Sequence, residues 1–233
     1  MNTWERLNRI MLDHAFLTTE NPVLKNFLFS DFGKKEGVWV IQQYFSLVRM
    51  IVDYLGLALR SIPYDEVKRE LRRNIAEEQG SRTHGVPHRD LFARLLKEEM
   101  RIEAFAPMSE ATLEFHINLL NHFRCDRPGY TAGMIYALEA SAAPEFLVVA
   151  RILNYCAKRE VVHIDGLRER QVSEIRCLED FVVMHVVDFE KGHEAGLRKA
   201  VTKFNPDPEN FEEGFFWVIK CMERWWNALS LEE

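Results

Sequence analysis

Apolar residues recur every three or four positions along most of the chain, which is the spacing of an amphipathic α-helix. The clearest stripe runs through Val38, Ile41 and Phe45. The turn signals of β-hairpins are missing, because the one Asp-Gly pair, Asp165-Gly166, is flanked by helical patterns. The pattern therefore predicts an all-α protein.

Prolines and polar loops divide this pattern into separate helices, since proline lacks an N–H donor and clashes inside a helix. Pro144 lies inside one of them and predicts a break or kink there. No fixed-period repeat or flexible linker is present, so residues 1–233 are predicted to form a single helical bundle domain. The predicted helices are Trp4–Phe16, Val23–Ser30, Lys34–Arg60, Tyr64–Gln79, His88–Glu99, Ser109–Phe123, Tyr130–Lys158, Arg168–Thr202 and Glu209–Leu229.

Composition excludes several classes of protein. An apolar fraction of 47% in 233 residues is too high for a disordered chain. A net charge of −6 does not suit nonspecific binding to nucleic acid. No apolar run approaches the roughly 18 residues of a membrane span, and the charged N-terminal segment is unlike a signal peptide. We therefore expect a cytoplasmic protein that binds neither nucleic acid nor membranes.

The cysteines lie far apart in the sequence and form no C-x-x-C pair of the kind that binds zinc or exchanges disulfides. We expect Cys125, Cys156, Cys177 and Cys221 to be reduced, buried thiols that pack as small apolar groups. A nucleophilic cysteine would need a lowered pKa and a nearby base. Cys156 and Cys177 have no adjacent histidine, which counts against that role.

Three segments combine carboxylates with imidazoles, the donors that iron prefers in helical bundles. In the first, Glu77 and Glu78 precede Gly80, and His84 and His88 follow. We expect Gly80 to end the helix in a left-handed conformation. The short loop after it would then turn a histidine back toward the carboxylates.

The other two segments place acids among apolar residues. Glu139 stands in a run of small and apolar side chains, where a buried carboxylate is costly unless it is paired or bound to a metal. His185, Asp188, Glu190 and His193 share one very apolar helix. The remaining histidines have no such acidic neighbours and are expected to be structural: His14, His116, His122 and His163.

These segments resemble, in order and spacing, the haem-oxygenase-like diiron oxidases and oxygenases, a group that includes thiaminase-type TenA proteins, the PqqC oxidase and the CADD protein. The motifs are Asn-x-x-x-Glu-x-Gly at Asn74–Gly80 and His-x-x-Leu-Phe at His88–Phe92. Residues 21–24 and 43–45 are similar to the opening helices of that group. The resemblance covers about residues 21–197 and implies a single-domain haem-oxygenase-like (TenA/PqqC-like) helical bundle.

Carried over residue by residue, the resemblance implies two Fe(II) ions, with manganese as the alternative metal. Glu77 and His84 remain alternatives to the first carboxylate and the first imidazole, and Asp188 remains an alternative to Glu190. The implied metal ligands are Glu78, His88, Glu139, His185, Glu190 and His193.

The last ligand helix departs from the spacing usual in that group, His-x-x-x-Asp-x-x-His. Seven residues separate His185 from His193 instead of six, and Glu190 stands in place of the aspartate. One inserted residue, as in a π-bulge, would restore the register, whereas Asp188 would need two register changes. The ligand set of the second metal is therefore open. The protein could bind two irons, bind one iron firmly and the other weakly, or bind none.

The resemblance implies an oxidoreductase that uses O₂ to oxidise a small amino-acid- or fatty-acid-like metabolite. A carboxylate substrate would need a basic partner, and Arg49, Arg151 and Lys158 lie on helices expected to run near the site. Aromatic side chains that could line the pocket are Tyr44, Phe45, Phe181 and Phe189.

Two other functions remain open. One is a metal-free enzyme of the same fold, either a TenA-like hydrolase with a cysteine nucleophile or a PqqC-like oxidase. The other is a non-catalytic interaction protein, since a fold does not determine a function. Outer helix faces and the Trp225-Trp226 end could support a homodimer.

Overall fold

The computed structural model describes residues 3–30, 32–204 and 207–231, and every regular element within these ranges is helical. The predicted all-α fold is thereby confirmed. A π-helical turn at His185–Phe189 joins α8 directly to α9. The α-helices are α1 (Thr3–Leu12), α2 (Pro22–Phe29), α3 (Lys34–Ser61), α4 (Asp65–Glu78), α5 (His88–Met100), α6 (Glu110–Phe123), α7 (Pro128–Ala157), α8 (Leu178–Met184), α9 (Glu190–Phe204) and α10 (Pro208–Leu229).

Four helices surround a common interior. Helix α3 packs against α4 and α7, and α9 packs against the same two helices. Helix α10 covers α7 on another side. Every residue of α7 from Tyr130 to Ser141 is buried as a result, which explains why its sequence shows no polar face.

By length and composition alone, α7 would be long enough and apolar enough to cross a membrane, although 78% of its most apolar stretch is buried inside the bundle. The core helix of a globular bundle passes the same test. The stretch contains the carboxylate Glu145, so it passes by mean hydropathy without being an uninterrupted apolar run.

The backbones of α7 and α10 touch at two glycines. A Cβ atom added at Gly133 would lie 2.0 Å from the carbonyl oxygen of Phe211, and one added at Gly214 would lie 2.1 Å from that of Tyr130. A backbone oxygen cannot rotate away as a flexible side chain can, so this approach requires glycine at both positions. The contact holds α7 at a fixed distance from α10.

Helix ends follow the local signals in the sequence. Pro22, Pro128 and Pro208 each occupy the first turn of a helix, where the missing N–H has no cost. The Ser109 hydroxyl accepts a hydrogen bond from a backbone N–H of the first turn of α6, at 3.2 Å. Gly80 adopts a φ of +99°, which confirms the predicted left-handed end of α4.

Two helix predictions were wrong in their bounds, and a predicted break is absent. The predicted helix Arg168–Thr202 begins only at Leu178, because the preceding residues offer few apolar side chains to bury. Helix α7 runs through Pro144 without interruption, and this proline lies on a partly exposed side of the helix. The first helix ends at Leu12, before a separate 3₁₀ turn at Ala15–Leu17.

The aromatic residues at the end of α10 belong to the core rather than to a surface. Trp225 and Trp226 are 2% and 0% exposed, because Trp225 stacks on Phe115 and Trp226 faces Tyr44. Any homodimer would therefore use other surfaces. Its existence stays a prediction.

Candidate metal centre

The six predicted ligands meet in the interior between α3, α4, α7 and α9. They come from the end of α4, the start of α5, the middle of α7, the π-turn and the first turn of α9. None is more than 9% exposed. The six side chains are Glu78, His88, Glu139, His185, Glu190 and His193.

The donor atoms of five of these side chains form two groups that could each hold a metal ion, and Glu139 belongs to neither group. Glu78, His88 and His185 form the first group, and Glu78, Glu190 and His193 form the second. Within each group the donor atoms lie within 4.8 Å of one another. Glu78 belongs to both, so its carboxylate lies between two neighbouring candidate positions.

His193 lies among carboxylates. Its Nδ1 donates to Glu139 at 3.1 Å and its Nε2 to Glu77 at 3.2 Å, while Glu190 lies 3.8 Å from Nδ1. Burial disfavours a charge on this ring, but the carboxylates outweigh burial and raise the pKa of His193 to about 11. The imidazolium therefore supplies the positive charge that a metal ion would otherwise supply.

Both ring nitrogens of His88 are buried and lack a hydrogen-bond partner. Its Nδ1 lies 3.3 Å from Glu78, yet the contact lacks hydrogen-bond geometry, so it leaves the nitrogen unsatisfied. Buried polar atoms without partners are rare in folded proteins, and a bound ion is one explanation for them. The donor set thus passes an independent test of fit to a metal.

His185 is held in the orientation of a metal ligand. Its Nδ1 donates to the carbonyl oxygen of Phe181 at 2.7 Å, which leaves Nε2 free to bind an ion. Burial lowers the pKa of His185 well below its ordinary value, and the neighbouring His88 adds to this effect. The ring is therefore neutral, as metal binding requires.

The π-turn confirms the inserted residue that the spacing predicted. The backbone N–H of Glu190 bonds to the carbonyl oxygen of His185, five residues earlier, instead of four. This hydrogen bond absorbs the extra residue and brings both side chains to the same interior. The turn also directs Asp188 outward.

The structure separates the alternatives that the sequence left open for two ligands. His84 is exposed in the loop after Gly80 and lines a surface cavity with Arg94. Asp188 has half its side chain exposed and forms an ion pair with Arg82. Neither residue reaches the interior that His88 and Glu190 occupy.

Glu77, the third alternative, lies beside the site rather than within a donor group. Its carboxylate accepts from His193 and lies 3.9 Å and 3.7 Å from Arg73 and Arg82. Burial raises the pKa of Glu77. The hydrogen bond from His193, its charge and the charges of the two arginines act in the opposite direction, and together they lower the pKa of Glu77 below its ordinary value. Glu77 therefore stays ionised and orients the His193 ring.

Comparison with known proteins places the whole chain in one family. The family described as "Domain of Unknown Function with solved-structure structure (DUF3865)" matches residues 2–232. The chain belongs to the DUF3865 family. No curated protein matches its sequence.

This DUF3865 protein is similar to a "CADD-like protein of unknown function" from Nostoc punctiforme PCC 73102, known from crystal structures at 2.00 Å and 1.35 Å resolution. Identity is 28% with a TM-score of 0.83 for the first structure, and 27% with 0.79 for the second. The matches cover 97% of this chain in both cases, and 95% and 92% of the crystallised chain. The helical bundle is thereby shown for this protein, along with its likeness to CADD-like proteins.

A cavity of the DUF3865 protein opens beside the donor groups. It offers about 50 Å³ to the centres of water molecules, which is room for a few waters or a short substrate chain. One side of α3 forms its apolar wall, because Tyr44, Leu47, Val48 and Ile51 follow helical spacing. The other lining residues are Glu78, Leu138, Glu139, Ala142, Glu145, Phe146, His185 and Glu190.

Of the aromatic residues predicted to line this cavity, only Tyr44 does so. Phe181 and Phe189 pack against the imidazoles of the site instead, and Phe45 packs against Phe92 and Phe105. Phe181 lies 4.0 Å from the ring of His185, between centroids, and Phe189 lies 4.7 Å from that of His88. These phenylalanines hold the imidazoles in place and exclude water from behind.

Three basic residues lie on helices beside the site, but their side chains do not line the cavity. The guanidinium of Arg49 lies over the ring of Phe105. Arg151 and Lys158 line a different, open cavity at the ends of α3 and α7. Helices α3 and α7 do run beside the site, as expected, but these three side chains do not line its cavity.

Sequence reasoning missed Glu145, a carboxylate that is 2% exposed and lines the cavity. The indole N–H of Trp226 donates to its Oε1 at 2.7 Å. Burial raises the pKa of Glu145 to about 8, and this one hydrogen bond lowers it only in part. The signal that singled out Glu139, an acid in an apolar helix, was equally present here.

No described cysteine lines this cavity. Burial raises the pKa of both Cys156 and Cys221 to about 11, and it also raises that of Cys177. A nucleophilic thiol requires the opposite shift. These thiols therefore do not support the cysteine-dependent alternative.

Proposed function

We propose that this DUF3865 protein is a haem-oxygenase-like diiron oxidoreductase that uses O₂ to oxidise a small amino-acid- or fatty-acid-like metabolite. The observation that carries this proposal is the convergence of two donor groups on one shared carboxylate, Glu78. The likeness to CADD-like proteins is consistent with it.

The chemistry of the donors supports iron. Carboxylate oxygens and imidazole nitrogens, without thiolates, suit Fe(II) and Mn(II). Glu78, His88 and His185 would hold one ion, and Glu78, Glu190 and His193 would hold the other. Glu139, which accepts from His193 and from Asn74 Nδ2, would complete the second set or orient it.

When bound, the two ions would supply the activation of O₂. The protein's own part begins with a proton, because His193 must lose one before either ring nitrogen can bind a metal. Glu139 at Nδ1 and Glu77 at Nε2 are both at hydrogen-bond distance to accept it. The carboxylate whose hydrogen bond remains then fixes the ring orientation.

The apolar wall of the cavity would position the substrate and exclude water. Leu47, Val48 and Leu138 surround the path to the donor groups. A site shielded from water limits side reactions of reactive intermediates. The protein would thus provide ligand placement and a dry pocket for the chemistry of the bound ions.

The proposal is tested by anaerobic Fe(II) titration of the metal-free protein, followed by exposure to O₂ with optical detection. We expect about two equivalents of iron per chain, as the two donor groups imply, and a transient visible absorption after O₂. One equivalent would point to an incomplete second site. No binding would contradict the proposal.

Glu139→Ala tests the ligand assignment in the same titration. We expect it to lose most iron uptake while circular dichroism shows unchanged helical content. The matched control is Glu114→Ala on the exposed face of α6, which should bind iron like the wild type. Wild-type uptake by Glu139→Ala would show that the assignment is wrong.

A further inference from the structure

The cavity beside the candidate metal centre is strongly biased in charge. Its lining includes four carboxylates, and no lysine or arginine lines it among the described residues. His185 is the only imidazole among the described residues that line it. A substrate that enters with a carboxylate would find no lysine or arginine in the lining to pair with. The four acids are Glu78, Glu139, Glu145 and Glu190.

Glu139 and Glu145 are the two acids in this set that belong to neither donor group. Glu139 pairs with His193, whereas Glu145 has only the indole of Trp226 as a partner. Trp226 binds its Oε1, and no other described residue donates to this carboxylate. Leu138, Ala142 and Glu145 follow the spacing of one face of α7, so Glu145 shares a wall of the cavity with apolar side chains. An acceptor of this kind, in an apolar cavity, requires a cationic or donor partner.

We propose that Glu145 selects the substrate by pairing with the ammonium group of a small aliphatic amine, whose hydrocarbon chain contacts Leu47 and Val48. The oxidation of this amine rests on the proposed function, but its binding does not. The structure thus favours an amine-bearing substrate over a fatty acid. Trp226 is a positioning residue that holds the carboxylate toward the cavity.

Two physical arguments support the pairing. An ammonium ion at hydrogen-bond distance stabilises the ionised form of a buried carboxyl, and burial otherwise raises the pKa of Glu145 to about 8. A carboxylate ligand would instead bring a negative charge into a lining that offers no lysine or arginine. Charge-assisted hydrogen bonds are also roughly twice as strong as neutral ones.

Binding can be measured with butylamine, butanoate and 1-butanol, three probes of equal chain length. The reporter is the indole N–H signal of Trp226 in ¹⁵N-resolved NMR, assigned with Trp226→Phe. Titrations use the full chain, both metal-free and loaded with Zn(II), because a carboxylate could bind to an ion directly. We expect butylamine to bind at least tenfold more tightly than either other probe in both forms.

Glu145→Gln should weaken butylamine binding at least tenfold, and Glu114→Gln, a surface control, should leave it unchanged. Glutamine keeps the acceptor for Trp226, so this variant should fold. A second variant, Ile51→Arg, adds a cation at the partly exposed end of the lining and should reverse the preference toward butanoate.

Equal binding of butanoate by the wild type, or unchanged butylamine binding by Glu145→Gln, would overturn the inference. A loss of one metal equivalent in Glu145→Gln would also overturn it, because Glu145 would then be a ligand. Butylamine binding through Glu145 in a protein that takes up no iron would support the inference and contradict the diiron function. Uptake of two iron equivalents without a preference for the amine would support the diiron function and overturn the inference about Glu145.

Discussion

Glu139 and Glu145 lie on the same buried helix in different surroundings. Glu139 accepts hydrogen bonds from His193, an imidazolium, and from Asn74. Glu145 has only the neutral indole of Trp226 as a partner. The cost of burying a charge is therefore compensated at one carboxylate and not at the other.

This difference predicts a pH-dependent effect of Glu145→Gln on the metal-free protein. The pKa of Glu145 is raised from 4.5 to about 8, so the folded state holds a proton that the unfolded state releases between these values. Wild-type stability is then lost as pH rises through this window, and glutamine removes the loss. We expect the variant to gain over the wild type by about 1.4 kcal/mol per pH unit within it.

Chemical denaturation of both proteins from pH 4.5 to pH 8 measures this gain. Glu114→Gln, at an exposed position, should show no such trend. A difference between Glu145→Gln and the wild type that stays constant with pH would contradict the assigned surroundings of Glu145.

His88 and His84 provide a second contrast at this scale. His88→Ala should reduce iron uptake from about two equivalents to about one, because it removes a ligand from one donor group only. His84→Ala should leave uptake unchanged, because this residue lies outside the interior. Metal analysis after desalting measures both. Equal losses in the two variants would refute the placement of His88.

Residue types and spacing predicted all members of the two donor groups but could not choose between neighbours. Glu77 and Glu78 differ by one position on a helix, and which one faces the interior depends on how α4 packs against α9. His84 and His88 differ in the path of a loop that turns at Gly80. Which of the two neighbouring residues faces the site depends on tertiary packing, so the sequence left both possibilities open.

At the scale of elements, the π-turn was predicted best, by comparing the spacing of this sequence with that of the family it resembles. The extra residue between His185 and His193 could reach a common site only through a local change in helical period. The start of α8 was predicted less well, because charged and apolar residues before Leu178 do not distinguish a helix from a loop. Pro144 likewise marks a break in most sequences but not in this buried helix.

Deletion of Val187 tests the role of the π-turn. It would convert the turn to regular α-helix, with Glu190 four residues after His185 and His193 three residues after Glu190, which keeps the three side chains on one face. We expect the deletion to retain about two equivalents of iron. Insertion of one alanine after Val187 should reduce uptake to one equivalent or none.

Iron titration of the two variants, with circular dichroism to check folding, decides the matter. Loss of uptake in the deletion variant together with normal uptake in the insertion variant would contradict this account. Val187 is suitable because it is only partly buried, so its removal disturbs the core little.

At the scale of the whole molecule, the donor groups join elements that are distant in the chain. Glu78 ends α4 and His185 begins the π-turn, far apart in the sequence, so the unfolded chain has no preformed site. A metal that binds only the native state stabilises it by mass action. Hydropathy patterns predicted the helices and the bundle, but the convergence of α4, α5, α7 and α9 is a property of their packing.

We therefore expect metal binding to raise the melting temperature of the DUF3865 protein. A metal at about 100 times its Kd contributes about 2.7 kcal/mol per site, which for a chain of this size is a shift of about 5–10 °C. Differential scanning fluorimetry with Mn(II) measures the shift, and EDTA should reverse it. A melting temperature unchanged by metal would contradict a site built across the fold.

The contact of Gly133 and Gly214 also restricts how this family can vary. Each glycine faces the backbone of the opposite helix, at Phe211 and Tyr130, so a larger residue at one position cannot be offset by a change of side chain at the other. Paired substitutions that compensate for each other are therefore not possible where α7 and α10 cross. Relatives should retain both glycines even where substrate-facing positions diverge, and a relative that lacks one should show a different spacing between its two helices.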